Sequence, residues 1–388
     1  MVFSADMIAS VRGDSRPEID VLAAAAARTG AAPSRPEGCS TGRPPDPQRL
    51  FDIARLNKML GWLPMSPAQL PSGCAGLAPK LLQVRLHTAA MNRHAMAVTA
   101  EAVTGLRQAG LRHVVLKGPF QQLAVHDNPF FRPSGDIDLY VAPRDRRRAG
   151  AVLRNLGFLP LEQDSALWWV PFLGEQHFRR DADGAVIDLH HRLQQAGLPA
   201  WQDAERVLDR AGSLSHADVQ IPVLSSADGC LLMTVTLAKA LLAHEPCGWA
   251  AVELTHWLAR LDAPERARLD RIAVRSGQER TLALGLALAR ACDGQGRDGQ
   301  DKDGPTSEEC AAPGIPAAPR GLPMDPDLLR DLVFQPWQRE AEAPRRRELL
   351  WMLARGRPHV LALEAVRAAL SNQVRAMLER RAGKPSMR

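Results

Sequence analysis

Two aspartates, Asp136 and Asp138, flank Ile137 in the run Asp136-Ile137-Asp138-Leu139-Tyr140-Val141, which alternates polar and apolar residues as a β-strand does. Residues two apart in a strand point to one face, so both carboxylates project together while Ile137 turns into the core. Carboxylates held side by side repel, and a divalent cation is the usual relief. A third carboxylate on a neighbouring strand would complete a magnesium site. Asp188 is the candidate, because it sits in the apolar run Val186-Ile187-Asp188-Leu189-His190, where a lone charge is costly to bury. Upstream, Lys117-Gly118 ends the apolar run Val114-Val115-Leu116 at the opening of a helix. Glycine there lets a phosphate approach the backbone, and the helix N-terminus favours an anion. Metal carboxylates facing a phosphate cradle are the equipment of in-line nucleotidyl transfer, with two ions about 3.5–4 Å apart.

Other residues offer rival chemistry. His190 and His191 beside Asp188 suggest a His/Asp hydrolase metal site. Neighbours on a strand face opposite ways, so only His190 shares the face of Asp188. His177 falls on the partner strand, where packing or support of the site is expected. Trp168-Trp169 is read as core packing before base stacking.

The elements that position these residues follow from the change of period along the chain. Residues 83–109 form a long helix closed by Gly110. A buried strand at 114–116 and a tight turn lead to a short helix at 119–126, stopped by Asp127-Asn128-Pro129. The Asp136 strand follows, then a helix over 143–156 ending at Gly157. A hairpin joins 176–180 to 185–191 through Asp181-Ala182-Asp183-Gly184, with Asp-Gly as the turn signal. Beyond Trp201 helices are expected at 228–243, 249–261, 264–276 and 278–291.

With these elements in place, Leu116-Lys117-Gly118, Asp127-Asn128-Pro129, Arg132-Pro133, Gly135-Asp136-Ile137-Asp138-Leu139 and Val141 together resemble the uncharacterised nucleotidyltransferase family of the polymerase-β-like superfamily. Leu156-Gly157-Phe158, then His177 and Ile187-Asp188-Leu189-His190-His191-Arg192, are similar to its later segments. The resemblance is good over residues 83–195, weak over 228–291 and absent at both ends. It implies that Asp136 and Asp138 are metal ligands and that Asp188 is a third ligand or the base for an attacking hydroxyl. It also implies that Gly118 with Lys117 holds triphosphate, and that Arg132 neutralises charge there. Lys239, His244 and Trp249 roughly match basic and Trp positions of the family, while His256 stands where an acidic residue is expected. None of these four is expected to be catalytic. The chain departs from the superfamily at Pro119, which removes a serine hydroxyl and a backbone donor from the cradle, and in its longer gap from Gly118 to Asp136.

The resemblance implies transfer of a nucleoside monophosphate from an NTP to a hydroxyl-type acceptor, with pyrophosphate release and Mg²⁺ (or Mn²⁺) as cofactor. The acceptor is an unidentified small molecule, peptide or protein. Two other readings stand: a catalytically inactive binding or regulatory protein on the same fold, and a metal-dependent phosphodiesterase.

The expected architecture is α+β, a small mixed sheet embedded in a mainly helical protein. The expected divisions are a poorly ordered segment at 1–48 with a short helix at 19–28, N-terminal helices at 49–110, the core at 111–200, a helical domain at 201–292, a low-complexity linker at 293–323 and a basic helical tail at 324–388. At 388 residues and 45% hydrophobic content the chain can bury a sizeable core. No run reaches the roughly 18 apolar residues of a membrane helix, and the N-terminus lacks the pattern of a secretory signal, so a cytoplasmic protein without membrane contact is expected. Six cysteines without a CxxC pair read as free thiols. The formal charge of +6 is concentrated in residues 344–388, and without a base-stacking motif nucleic acid is not expected as a partner. Only six lysines occur, which makes each of them conspicuous. No feature of the sequence bears on oligomeric state.

Overall fold

The strand that carries Asp138 is buried along its whole length, because it lies in the middle of a seven-stranded mixed sheet covered on both faces. The computed structural model describes residues 11, 13, 15–27, 43–161, 166–292 and 325–381. The strands are β1 (His113–Val115), β2 (Ile137–Val141), β3 (Leu159–Pro160), β4 (Glu175–Arg179), β5 (Val186–His190), β6 (Gly212–His216) and β7 (Val219–Val223), in the order β3-β4-β5-β2-β1-β7-β6. β2 pairs parallel with β5 and antiparallel with β1, while β4 pairs antiparallel with β5. The architecture is α+β, as expected.

The helices are α1 (Arg16–Ala27), α2 (Pro47–Leu56), α3 (Ala78–Gln108), α4 (Pro119–His126), α5 (Arg146–Asn155), α6 (Ser226–Ala243), α7 (Gly248–Arg260), α8 (Ala263–Ser276), α9 (Glu279–Cys292), α10 (Pro326–Phe334), α11 (Arg346–Ala354) and α12 (Pro358–Arg381). α3 and α5 cover one face of the sheet, where Val103, Leu106 and Leu153 meet Ile137, Leu139, Ile187 and Leu189. The opposite face, through Val114, Leu116 and Tyr140, joins a larger core built by α1, α2 and α6 to α11. The functional side chains lie on this second face.

Four of the expectations gain detail. The N-terminal helix starts at Arg16 and buries Ile19 and Leu22, so this part of residues 1–48 is packed into the core rather than loose. A hairpin, β6–β7, precedes the helices after Trp201, and β7 adds to the sheet beside β1. The tail is not peripheral: Asn57 Nδ2 donates to Phe334 O at 2.9 Å, and Cys247 N donates to Val333 O at 2.9 Å, which locks α10 into the core. The four cysteines among the described residues are buried. The expected linker at 293–323, and most of 1–48 outside α1, lie outside the described residues. One described helix, α6, is long and apolar enough to cross a membrane, and most of it is buried inside the protein.

Candidate active site

Register builds the site. The parallel pairing of β2 with β5 sets Asp138 directly beside Asp188, and the antiparallel pairing of β5 with β4 sets His177 beside Asp188 and Glu175 beside His190. Side chains in register share a face, so these five line up across three strands. Asp136, two residues before Asp138, stands solvent-accessible at the mouth of this row, with protein walls on most sides.

The row is tightly paired. His190 Nε2 lies 2.8 Å from Asp138 Oδ1, and its Nδ1 lies 3.4 Å from Glu175 Oε2. His177 Nδ1 lies 2.8 Å from Asp188 Oδ1, and its Nε2 lies 3.3 Å from Glu175 Oε1. Asp188 Oδ1 is buried, with His177 Nδ1 as its close polar neighbour. The indole of Trp169 tilts over the His177 ring, centroids 3.8 Å apart. Trp168 serves packing, its Nε1 donating to Ser371 Oγ on α12 at 2.8 Å.

Electrostatics divide the carboxylates. Burial pushes the Asp138 carboxyl up, but Lys117, the His190 contact and Lys239 together outweigh it and hold it well below the usual range. Asp136 is raised, first by the charge of Asp138, then by the surrounding protein and by Asp188. Burial disfavours the charged form of His177, yet its contacts with Asp188 and Glu175 raise it to about 9. Glu175 is lowered to about 2 because the two histidines and Lys239 outweigh its burial. The row thus holds three mutually repelling aspartates, with imidazoles supplying part of the missing positive charge.

Opposite stands a basic arc. Lys117 follows β1 and Gly118 begins α4 with φ +87° and ψ −159°, a conformation that only glycine adopts at ease. No atom would meet a Cβ built there, so the space before the turn is open. Pro119 occupies the first helical position, which needs no donor. Lys58, just after α2, is brought into the same field: burial lowers its pKa first, then Arg132, with Asp136 opposing. The charges of three of the six lysines, Lys58, Lys117 and Lys239, therefore act on Asp136 or Asp138.

Arg132 is placed differently from its neighbours in this arc. Its Nε donates to Glu253 Oε1 at 2.8 Å, and its guanidinium lies over the Trp249 ring at 4.1 Å, while Nη2 is buried without a partner. Glu253 Oε2 also accepts from Gln121 Nε2 at 2.9 Å, and Gln122 Oε1 accepts from the Arg132 backbone N at 2.9 Å. Residues 127–136, which lead into β2, are thereby fastened to α4 and α7. His256, on α7, has its Nδ1 3.0 Å from His126 Nδ1, away from the aspartates' hydrogen bonds.

The family model for uncharacterised nucleotidyltransferases matches residues 43–293, well over half of the chain. The chain belongs to that family. The matched region contains every residue of the carboxylate row and of the basic arc. Among curated proteins none matches the chain. Among solved structures, the solution structure of the antibiotic-resistance factor ANT(2'')-Ia is similar, with 15% identity over 48% of this chain and 93% of that one, at a TM-score of 0.34.

Of the residues singled out from the sequence, Asp138, Asp188 and His190 share one face of the sheet, Asp136 stands just ahead of β2, and Lys117 and Gly118 follow β1. Glu175, Lys58 and Glu253 were not singled out. Glu175 was findable, since the hairpin register that pairs His177 with Asp188 also pairs Glu175 with His190. Lys58 and Glu253 arrive through helix packing, which no local pattern announces.

Proposed function

We propose that the protein moves a nucleoside monophosphate from an NTP to a hydroxyl-type acceptor, releases pyrophosphate and uses Mg²⁺ or Mn²⁺. The observation that carries this reading is the pairing of Asp138 with Asp188 on one sheet face, with Asp136 just ahead of it and the charges of Lys58, Lys117 and Lys239 acting on these aspartates. Aspartates alone suit a cation and lysines alone suit phosphate; together they suit a metal-bound triphosphate.

The donor set fits a divalent cation. Asp138 and Asp188 repel Asp136 strongly enough to raise it. No group of three or more His, Cys, Asp and Glu side chains among the described residues is already gathered for a metal, because His190 and His177 draw Asp138 and Asp188 to themselves. Asp136, Asp138 and Asp188 would hold the ion. When bound, it would polarise the phosphoryl oxygens and stabilise the oxygens that enter and leave.

The chain's own groups do the rest. Lys117 and Lys58 neutralise the triphosphate, and Gly118 lets it approach the backbone at the start of α4. The Asp188 carboxylate accepts the proton of the acceptor hydroxyl, while His177, with Nδ1 2.8 Å from Oδ1, orients it. The acceptor enters from the open side of Asp136. We assign the activity to the cytoplasm as part of the same reading.

Thermal-shift titration with each NTP, with and without Mg²⁺, tests the proposal on wild type and on Asp136→Ala/Asp138→Ala. A ligand that binds only the folded state raises its stability. A metal-dependent shift that disappears in the double variant supports the reading. An unchanged shift in the variant, or none in wild type, overturns it. Hydrolysis of a phosphodiester substrate without acceptor, lost in His190→Ala, would replace it with the phosphodiesterase reading.

A further inference from the structure

A cavity of about 360 Å³ opens between residues 201–210 and the C-terminal half of α8. Its floor is apolar, formed by Trp201 and Ile272, which are 5% and 8% exposed. Its walls carry five arginines, Arg206, Arg210, Arg268, Arg271 and Arg275, against two aspartates, Asp203 and Asp209.

The charges do not cancel. Asp209 pairs with Arg112, and Asp203 pairs with Arg206 at 3.6 Å. Arg210 is held by Asp228, Nε to Oδ2 at 2.9 Å and Nη2 to Oδ1 at 2.6 Å. Arg268, Arg271 and Arg275 form one stripe of α8 at i, i+3 and i+7. No carboxylate among the described residues makes an ion pair with any of the three, although Asp270 feels the charge of Arg271. The three arginines are exposed on the cavity wall and keep their charge. The planar fork of arginine suits phosphate, which it binds through two parallel hydrogen bonds.

The cavity is built and separate. Gln202 N donates to Ser276 O at 2.9 Å, and Gln278 Nε2 donates to Pro199 O at 3.1 Å, which fixes the loop against the end of α8. Arg112, paired with Asp209, precedes β1, whereas Lys117 and Gly118 follow it. Five residues of extended chain put these two ends roughly 16 Å apart.

We propose that this cavity is a second ligand site, distinct from the carboxylate row, that takes a small phosphorylated molecule through its arginines. The volume suits a ligand of two or three phosphoryl groups or a nucleotide.

Isothermal titration of the full chain with inorganic pyrophosphate, in buffer containing EDTA, tests this. The background is Lys58→Ala/Lys117→Ala/Lys239→Ala, which removes the lysines of the basic arc as a competing site. Pyrophosphate is expected to bind this background, and adding Arg268→Ser/Arg271→Ser/Arg275→Ser is expected to weaken binding at least tenfold with the circular dichroism spectrum unchanged. No binding to the background, or equal binding after the arginine changes, overturns the proposal. A nucleoside diphosphate titrated in parallel separates the two sources of phosphate. Equal or weaker affinity assigns the site to inorganic polyphosphate, and tighter binding assigns it to a nucleotide that also uses the Trp201–Ile272 floor. Because the arc is already disabled, failure here is independent of the nucleotidyl-transfer reading.

Discussion

Glu253→Ala removes one half of the ion pair that fastens residues 127–136 to the helical layer. The pair is deeply buried: the Arg132 and Glu253 side chains are 6% and 0% exposed, with Nε and Oε1 2.8 Å apart. Truncation strands the guanidinium, whose Nη2 already lacks a partner, and leaves Gln121 Nε2 with only Met233 Sδ at 3.5 Å. Removing one partner of a buried pair costs about 3–5 kcal/mol. The exposed pair Arg144–Glu205 offers a control, with a similar separation of 2.9 Å but side chains 65% and 39% exposed. Pairs of that kind contribute about 0–1 kcal/mol. Set against a total stability of about 5–15 kcal/mol, the buried loss is large and the exposed one slight. Urea unfolding followed by tryptophan fluorescence and circular dichroism measures both. Glu253→Ala is expected to lower the unfolding free energy by about 3 kcal/mol or more, and Glu205→Ala by less than about 1. The double change Arg132→Met/Glu253→Leu is expected to recover most of the loss, because the stranded charge leaves with its partner. Equal losses in Glu253→Ala and Glu205→Ala would refute the role given to this pair.

Gly118→Ala meets no atom but forces a side chain into φ +87°, so it is expected to cost about 1–3 kcal/mol and to weaken NTP binding, read by melting with and without nucleotide. Lys58→Met removes a charge-assisted contact of about 1.5–3 kcal/mol, so the Kd for NTP should rise roughly 10- to 150-fold in the same titration. His126 gives a pH test. Burial first, then His256, Arg132 and Arg260, lower its pKa to about 3 in the folded protein, so the unfolded chain takes the proton first as pH falls below about 6.5. Stability due to the neutral ring is complete above that pH and declines below it, by about 2 kcal/mol at pH 5. Wild type should therefore lose more melting temperature between pH 7 and pH 5 than His126→Leu, and equal losses would contradict the assignment.

Much of this arrangement is written in short-range patterns. Asp136-Ile137-Asp138 states its own strand and face, Lys117-Gly118-Pro119 states a turn into a helix, and Asp183-Gly184 states the hairpin whose register then aligns His177 with Asp188. The β6–β7 hairpin escaped because its turn residues, Ala217 and Asp218, take positive φ without a glycine, and Pro222 argues against a strand. β6 is an edge strand with little buried surface, so it lacks the apolar alternation that marks β2. Charge dominates residues 344–388 and hides the residues that insert the tail into the core, Val333 and Phe334 just ahead of that run and Leu349, Met352 and Leu353 within it, while α12 buries only Val360, Glu364 and Ser371. Lys58 and Glu253 show the general limit. Each sits within or just after a helix, and its partners lie dozens of residues away, so only the packing of α2 and α7 against the sheet gives it a role.

The claim that the three aspartates hold a divalent cation for a triphosphate is tested most directly by electron paramagnetic resonance of Mn²⁺. The free-ion signal is followed as protein is added, with a non-hydrolysable NTP present, for wild type and for Asp138→Asn/Asp188→Asn. The account expects wild type to deplete the free signal further than nucleotide alone, and the double variant to leave it at the nucleotide-only level. Equal depletion by both proteins, or none by wild type, would contradict it.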